Sequence, residues 1–358
     1  MQGNCSPRVL RLESSLGGGD VRTHSRRITR LGGPPRAFFS SVESFPLFDC
    51  LIGLGSNVGD REHYLQRALA EVSAHPFVQR MRHSSWHSTL PKGGPSGQGK
   101  FLNGAARFET TLSPKDLHKL LCEIEQSLGR QRGQRWGPRV LDIDLLLCGG
   151  QIVSGEGEQG LTVPHPRMAF RRFVLEPAME VAAEMMHPEV GWTIAQLHEH
   201  VLSWPPYVVI SSPDAARAAE IARQTAELIG CKLIRQTELS PTEPQSEAAT
   251  ENWIQNTSSY LENCNALLPT AASWKPDEPY IADFHPASVL ADAPPAVPAK
   301  DLQQLKEIPM RAKLLVIDGG AQPARELLGH SGPVLAIAKM STAEAVTEIA
   351  AAVAAMRE

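Results

Sequence analysis

The sequence predicts an α+β sandwich followed by a smaller α/β region built on a parallel sheet, with a disordered tail ahead of both. Three observations carry that reading. Between residues 50 and 203, short strand patterns are interleaved with two well-capped helical patterns. From Tyr207 onward, an apolar run, an Ala-rich helical stretch and a second apolar run follow in β-α-β order, which favours parallel pairing. Residues 1–48 hold seven arginines, a Gly17-Gly18-Gly19 run and Gly32-Gly33-Pro34-Pro35, with no sustained periodicity. The expected division is 1–48 as a basic tail, 49–204 and 205–358.

The elements follow in chain order. Cys50 to Gly55 reads as a strand ending in a glycine turn, and Asp60 caps a helix from Arg61 to Ser73 with apolar spacing at Leu65, Ala68, Leu69 and Val72. Met81 to Ser88 and Leu102 to Glu109 alternate as two strands around a Gly/Pro/Ser loop, Pro91 to Lys100. Ser113 and Pro114 open a helix that runs through Leu117, Leu121 and Ile124 to Gly129. Val140 to Leu147 is an apolar strand interrupted by two aspartates, and a last helix of the sandwich spans about Thr193 to Leu202. Beyond it, strands are expected at Tyr207 to Ile210, Cys231 to Ile234, Lys313 to Ile317 and Val334 to Ala338. Helices are expected at Ala215 to Ile229 and Thr342 to Met356, while Gln236 to Lys275 reads as a polar stretch with isolated apolar anchors.

Composition narrows the functional classes. The 358 residues are 42% hydrophobic, enough for packed cores, and 35 Lys+Arg against 39 Asp+Glu leave a net charge of -4. This balance argues against a dominant basic surface for nucleic acid or anionic membrane, so any anion site is expected to be local. No apolar run approaches the roughly 20 residues of a membrane span. The six cysteines form no zinc-type spacing, and with no secretory h-region at the start the expected location is the cytoplasm.

The densest chemistry lies between Gly129 and Asp144. Arg130, Arg132, Arg135 and Arg139, punctuated by Gly133 and Gly137, precede Asp142 and Asp144. In a strand the i, i+2 spacing puts both carboxylates on one face and Leu141 and Ile143 on the other. Two adjacent carboxylates need a neutralising cation, for which hard Mg²⁺ is suited, and guanidinium forks match phosphate oxygens. The pattern points to a nucleotide triphosphate site, with pairing between the aspartates and those arginines as the plainer alternative.

In these residues the sequence resembles the 6-hydroxymethyl-7,8-dihydropterin pyrophosphokinases, HPPK. The matching pieces are Gly53-Leu54-Gly55-Ser56-Asn57, Phe101-Leu102-Asn103, Gly129-Arg130, Arg135-Trp136-Gly137-Pro138-Arg139, Leu141-Asp142-Ile143-Asp144 and Leu161-Thr162-Val163-Pro164-His165-Pro166, with Arg171 and Phe173. The resemblance covers about residues 50–203 and implies a ferredoxin-like sandwich of HPPK type. It implies 2-amino-4-hydroxy-6-hydroxymethyldihydropteridine diphosphokinase activity in folate biosynthesis: pyrophosphate passes from ATP to the pterin hydroxymethyl group and AMP leaves. By the same resemblance, Asp142 and Asp144 hold two Mg²⁺ ions, and Arg132, Arg135 and Arg139 act on the phosphates. Glu125, Trp136, Thr162, His165 and Arg171 are implied ATP contacts. Ser56, Thr89, Pro91, Phe101, Asn103, Trp136 and Phe173 are implied to line the pterin site. Two departures stand out: Cys122 lies one turn before Glu125 where the family often has a polar group, and Gly160 replaces a common basic residue. One ATP contact is therefore expected to be weakened.

Residues 205–358 faintly resemble P-loop deoxynucleoside kinases, through Tyr207-Val208-Val209-Ile210 and Ile281-Ala282-Asp283-Phe284. Ser211-Ser212-Pro213-Asp214-Ala215-Ala216-Arg217-Ala218 stands where a working P-loop would be and lacks its glycines and lysine. The region reads as a degenerate kinase-like domain kept for packing, regulation or dimerisation, a homodimer through it being the expected protein partnership. Two alternatives stand beside the pyrophosphokinase: a silent ATP- or pterin-binding regulator, and a nucleoside kinase acting through the C-terminal region.

Overall fold

A computed structural model describes residues 46–91, 99–129, 139–155, 160–203, 207–235, 250–266, 278–293, 295–307, 312–319, 330 and 332–357. The disordered tail expected over 1–48 therefore lies outside the described residues up to position 45. Phe48 and Asp49 belong instead to the first strand, paired with Thr110 and Glu109.

The first half is built from β1 (Phe48–Ser56), α1 (Arg61–Ser73), β2 (Val78–His83), β3 (His87–Thr89), β4 (Phe101–Thr110), α2 (Pro114–Ser127) and β5 (Asp142–Cys148). Capping fixes both helix starts: Asp60 accepts from the His63 N–H at 3.2 Å, and Ser113 Oγ from that of Asp116 at 3.2 Å. The strands lie in the order β2-β4-β1-β5 with β3 also on β4, every neighbour antiparallel. Two interleaved β-α-β units of this order make the β-α-β-β-α-β sandwich. The single strand expected over Met81 to Ser88 is two, because Ser84 turns inward between them and its Oγ accepts from the Ala105 N–H at 3.0 Å.

Strand alternation sorts the apolar side chains onto two faces. Cys50, Ile52, Leu54, Phe108, Ile143 and Leu145 pack against Leu65, Leu69, Leu117 and Leu121 of α1 and α2. Leu51, Ala105, Leu146 and, beyond the register shift that leaves Leu146 as an extra residue opposite Leu51 and Ile52, Leu147 point the other way, onto α3 (Arg172–Ala182). After α3 come a short hairpin, β6 (Met186–His187) and β7 (Trp192–Thr193), and α4 (Ile194–Leu202). Thr193 and Gln196 close a capping box at the start of α4.

The second half contains β8 (Tyr207–Ser211), α5 (Ala215–Ile229), β9 (Lys232–Ile234), α6 (Thr250–Ala266), β10 (Tyr280–Ala282), α7 (Ala299–Glu307), β11 (Leu314–Ile317), β12 (Val334–Ala336) and α8 (Thr342–Arg357). Its sheet runs β12-β11-β8-β10-β9, all parallel, with the first strand at the centre. Helix α6 falls inside the stretch read as polar, where Thr257, Tyr260, Leu261 and Cys264 recur at helical spacing and bury one stripe.

Val208, Ile210, Ile281, Leu314 and Val316 share one apolar core with Ala218, Ile221 and Ala222 of α5, Ile349, Val353 and Met356 of α8, and Leu175, Leu197 and Val201 of α3 and α4. The opposite face of the parallel sheet, with Tyr207, Val209 and Leu315, packs on α6 and α7 through Tyr260, Leu261 and Leu305. The helices between the two sheets thus form one shared layer, and Phe45–Glu358 is one compact unit.

A polar pin crosses that layer. Lys313 is 5% exposed, and its Nζ donates to the Val201 carbonyl at 2.8 Å and to the Ser203 carbonyl, at the C-terminal end of α4. Burial holds its ammonium down to about 8 from 10.5. Between those values the unfolded chain binds more protons than the folded one, so stability rises with pH across the window, by at most about 1.4 kcal/mol per pH unit. Lys313→Met is expected to flatten this rise in urea unfolding at pH 8 and pH 10; equal slopes in both proteins would contradict the assignment.

Candidate active site

The site is laid down by the register of β1 against β5, in which Gly53 lies opposite Asp144 and Gly55 opposite Asp142. Leu141 and Ile143 are buried on the α1/α2 side, while Asp142, Asp144 and Leu146 open onto the other face. The two glycines put no side chain beside the carboxylates, so the floor around them is open. On its other edge Gly55 pairs with Asn103, whose Oδ1 would lie 3.1 Å from a Cβ at position 55. Asn103 is buried and its Nδ2 donates to Thr89 Oγ1 at 2.8 Å, which fixes the amide over the floor.

The turn after β1 holds the entry to β5. The Asn57 N–H donates to the Arg139 carbonyl at 3.0 Å, and the Arg139 N–H donates to Asn57 Oδ1 at 2.7 Å. Arg139 Nη1 then donates to Asp142 in a short ion pair, the pairing that the plainer sequence reading allowed. His165 follows the cis Val163–Pro164 bond, and its N–H donates to the Leu146 carbonyl at 2.9 Å. Its Nδ1 accepts from the Arg167 N–H at 3.2 Å, leaving Nε2 3.9 Å from Asp144 Oδ2. Burial first, then the cations of Arg171 and Arg167, lower the His165 pKa to about 3, so the ring is neutral at physiological pH with its proton on Nε2. Arg171 is lowered to about 10, by burial and then by Arg167, and its guanidinium lies 5.6 Å from the centre of the Phe173 ring.

These groups surround one cavity of about 340 Å³. Thr89, Phe101, Asn103, Arg139, Asp142, Asp144, His165, Arg171 and Phe173 line it, all of them residues the sequence singles out. Of the others, Arg132, Arg135 and Trp136 lie outside the described residues. Ser56, Pro91, Thr162 and Glu125 are not among the cavity's lining. Ser56 is fully buried at the end of β1 and its Oγ has no hydrogen-bond partner. Glu125 is buried in α2, where its Oε1 accepts from the Ile143 N–H at 2.7 Å and anchors the strand that carries the aspartates.

Arg167, Phe170, Val174 and Glu348 also line the cavity, and sequence reasoning did not find them. A signal existed for Glu348: it interrupts the apolar stripe Ala345, Ile349, Ala352 and Val353 on α8. Among the described residues no group of three or more His, Cys, Asp or Glu could hold a metal ion; the acidic element is the Asp142/Asp144 pair. No helix among them is long and apolar enough to cross a membrane.

Paired carboxylates beside arginines, next to an aromatic-lined cavity, are side chains of the kind that phosphoryl-transfer chemistry uses. Comparison with known proteins narrows the class. Residues 51–183 match the model of the 7,8-dihydro-6-hydroxymethylpterin-pyrophosphokinase (HPPK) family. The chain is 39% identical over 158 residues to a 2-amino-4-hydroxy-6-hydroxymethyldihydropteridine pyrophosphokinase of Synechocystis, covering 43% of this chain and 78% of the relative. It is 46% identical over 134 residues to one from Bacillus subtilis, covering 37% of this chain and 78% of the relative. Among solved structures, wild-type HPPK-DHPS of Plasmodium falciparum is similar at a TM-score of 0.34 and 10% identity, over 82% of this chain and 73% of that one. The chain belongs to the HPPK family.

Glu125 gives this site a structural test. Glu125→Ala leaves the buried Ile143 N–H without its partner and is expected to cost about 1–3 kcal/mol in denaturant unfolding. Wild-type stability in that variant would show that the contact does not hold β5.

Proposed function

We propose that residues 49–204 transfer pyrophosphate at this cavity and that 205–358 is a companion region without chemistry of its own. The reaction is that of the family: pyrophosphate moves from ATP to 6-hydroxymethyl-7,8-dihydropterin in folate biosynthesis, with ATP as co-substrate. The hydroxymethyl oxygen attacks the β-phosphorus and its proton passes to solvent, the bond from that phosphorus to the α-phosphate oxygen breaks, and AMP leaves. The observation that carries the assignment of the site is that Asp142 and Asp144 face the same cavity as Phe101, Asn103 and Phe173.

The flat pterin suits the Phe101 and Phe173 rings, and Asn103, held by Thr89, presents an amide to its polar edge. Arg139 and Arg171 supply guanidinium donors for phosphate oxygens, in a site where burial strengthens each charge-assisted bond. Neutral His165 adds an Nε2–H donor and, unlike an imidazolium, brings no further positive charge between two arginines. Arg132, Arg135 and Trp136 are assigned to the phosphates and ligands by their match to the family motif alone.

Mg²⁺ fits the donor set. Its usual protein ligands are one or two carboxylates, with substrate phosphates and water completing the shell, so the aspartate pair suffices without a third protein ligand. Arg139 already neutralises Asp142, as a bound cation would. Asp142 and Asp144 would hold two Mg²⁺ ions, which when bound neutralise charge on the transferring group.

For the C-terminal region the reading is a degenerate nucleoside-kinase-like domain. Support comes from the parallel sheet with its first strand central; in such sheets ligands bind beyond the carboxyl ends of the strands. There Arg217 Nε donates to Asp318 Oδ2 at 2.6 Å and its Nη2 to the Met340 carbonyl at 2.7 Å, while Ser212 Oγ donates to Asp318 at 3.0 Å. Asp318, Arg217 and Ser212 thus satisfy one another after β8, which agrees with a region that does not bind nucleotide phosphate.

Asp142→Ala and Asp144→Ala are each expected to lower AMP release from ATP and 6-hydroxymethyl-7,8-dihydropterin by at least about 10²-fold, with an unchanged circular dichroism spectrum. Turnover close to that of the unsubstituted chain would overturn the assignment of the pair.

A further inference from the structure

We propose that α8, the last helix of the C-terminal region, is a wall of the pyrophosphate-transfer cavity, and that Glu348 is a positioning residue acting through Arg167 on Arg171. The inference rests on the assignment of that cavity to ATP and pterin.

Glu348 is 3% exposed on a helix face otherwise made of Ala345, Ile349, Ala352 and Val353. A carboxylate there is costly without a partner, and it has one: Arg167 Nε donates to Glu348 Oε1 in a short ion pair. Arg167 belongs to the segment that carries the site, since its N–H holds the His165 ring and the 3-10 turn Met168–Phe170 leads from it straight to Arg171.

The charge pattern gives the pair a task. Arg139, Arg167 and Arg171 bring three cations to the cavity, answered by Asp142 and Asp144 on β5 and by Glu348 on α8. Arg167 and Arg171 are like charges on one cavity, and the Glu348 carboxylate, paired with Arg167, offsets their repulsion. Tied to α8, the Arg167 side chain is committed to Glu348, which leaves the Arg171 fork on the same cavity to meet an anionic ligand. Ala351, Ala352 and Ala355 carry the same helix along the cavity with methyl groups only, so the helix bounds the space without filling it. The C-terminal region thereby contributes to substrate binding although it performs no chemistry.

The test uses the full chain and two readouts: steady-state AMP release with ATP and pterin varied in turn, and calorimetric titration with a non-hydrolysable ATP analogue. Glu348→Gln keeps the shape and removes the charge; it is expected to raise both KM for ATP and Kd for the analogue about tenfold, with kcat within about threefold. Glu348→Asp is expected to recover most of the loss, and Thr347→Ala, on the exposed face of α8, to match the unsubstituted chain. If Glu348→Gln does not fold, Ala351→Leu reads the wall directly, and a rise of about fivefold or more in KM for either substrate is expected. Unchanged KM and Kd in Glu348→Gln, or unchanged KM for both substrates in Ala351→Leu, would overturn the proposal. Absence of AMP release from the unsubstituted chain would count against the reaction, while the analogue titrations would still decide the role of Glu348.

Discussion

The antiparallel register that sets Gly53 and Gly55 against Asp144 and Asp142 is the constraint on which the site depends. Strand side chains alternate with a period of two, so a slip of one residue would turn Ile143 into the cavity and both aspartates into the apolar layer beneath. Nothing else in the site could compensate, because two carboxylates cannot be buried among Leu65, Leu117 and Leu121 without a cation. The register is secured from both ends. Asn57 clasps the backbone of Arg139 where β5 begins, and Glu125 takes the Ile143 N–H from below. One side chain implied as a ligand contact, Glu125, and one motif residue, Asn57, thus hold the backbone that presents the aspartates.

The second organising feature is the layer of helices between the two sheets. Apolar burial is non-directional, and by itself it would let one sheet slide over the other. Polar pins remove that freedom: Lys313 ends on the carbonyls of α4, His200 Nε2 lies 3.0 Å from the Lys313 carbonyl, and Arg167 reaches Glu348. Each joins a residue of the first half to one of the second. The cavity sits along this seam, which is how residues far apart in the chain come to share it.

Much of this was legible in the sequence, and the reasons it stopped are physical. Caps at Asp60 and Ser113 announced two helices, apolar spacing announced α4, and apolar runs and alternation announced β1, β4 and β5 to within a few residues. The aspartate pair was readable because its spacing and strand geometry agree. Helix α3 was not, since Pro177 inside it imitates a break; in the structure the proline is buried in the helix interior. Helix α6 was hidden by its polar face, although Thr257, Tyr260, Leu261 and Cys264 keep the helical spacing. Glu125 shows the limit of a motif, which marks that an acid is needed but not whether it faces a ligand or a backbone amide. Arg167 and Glu348 lie 181 residues apart, and no local pattern reports a partnership at that distance.

Helix α3 lies against β4 on one flank and against α8 on another, and its apolar residues serve both. That double allegiance has an evolutionary side. Once the outer flank of the helix had turned oily to receive a neighbour, losing the neighbour would bare a sticky scar, and the shortened protein would clump. A region tethered in this way can persist through insolubility of the alternative, whatever else it does.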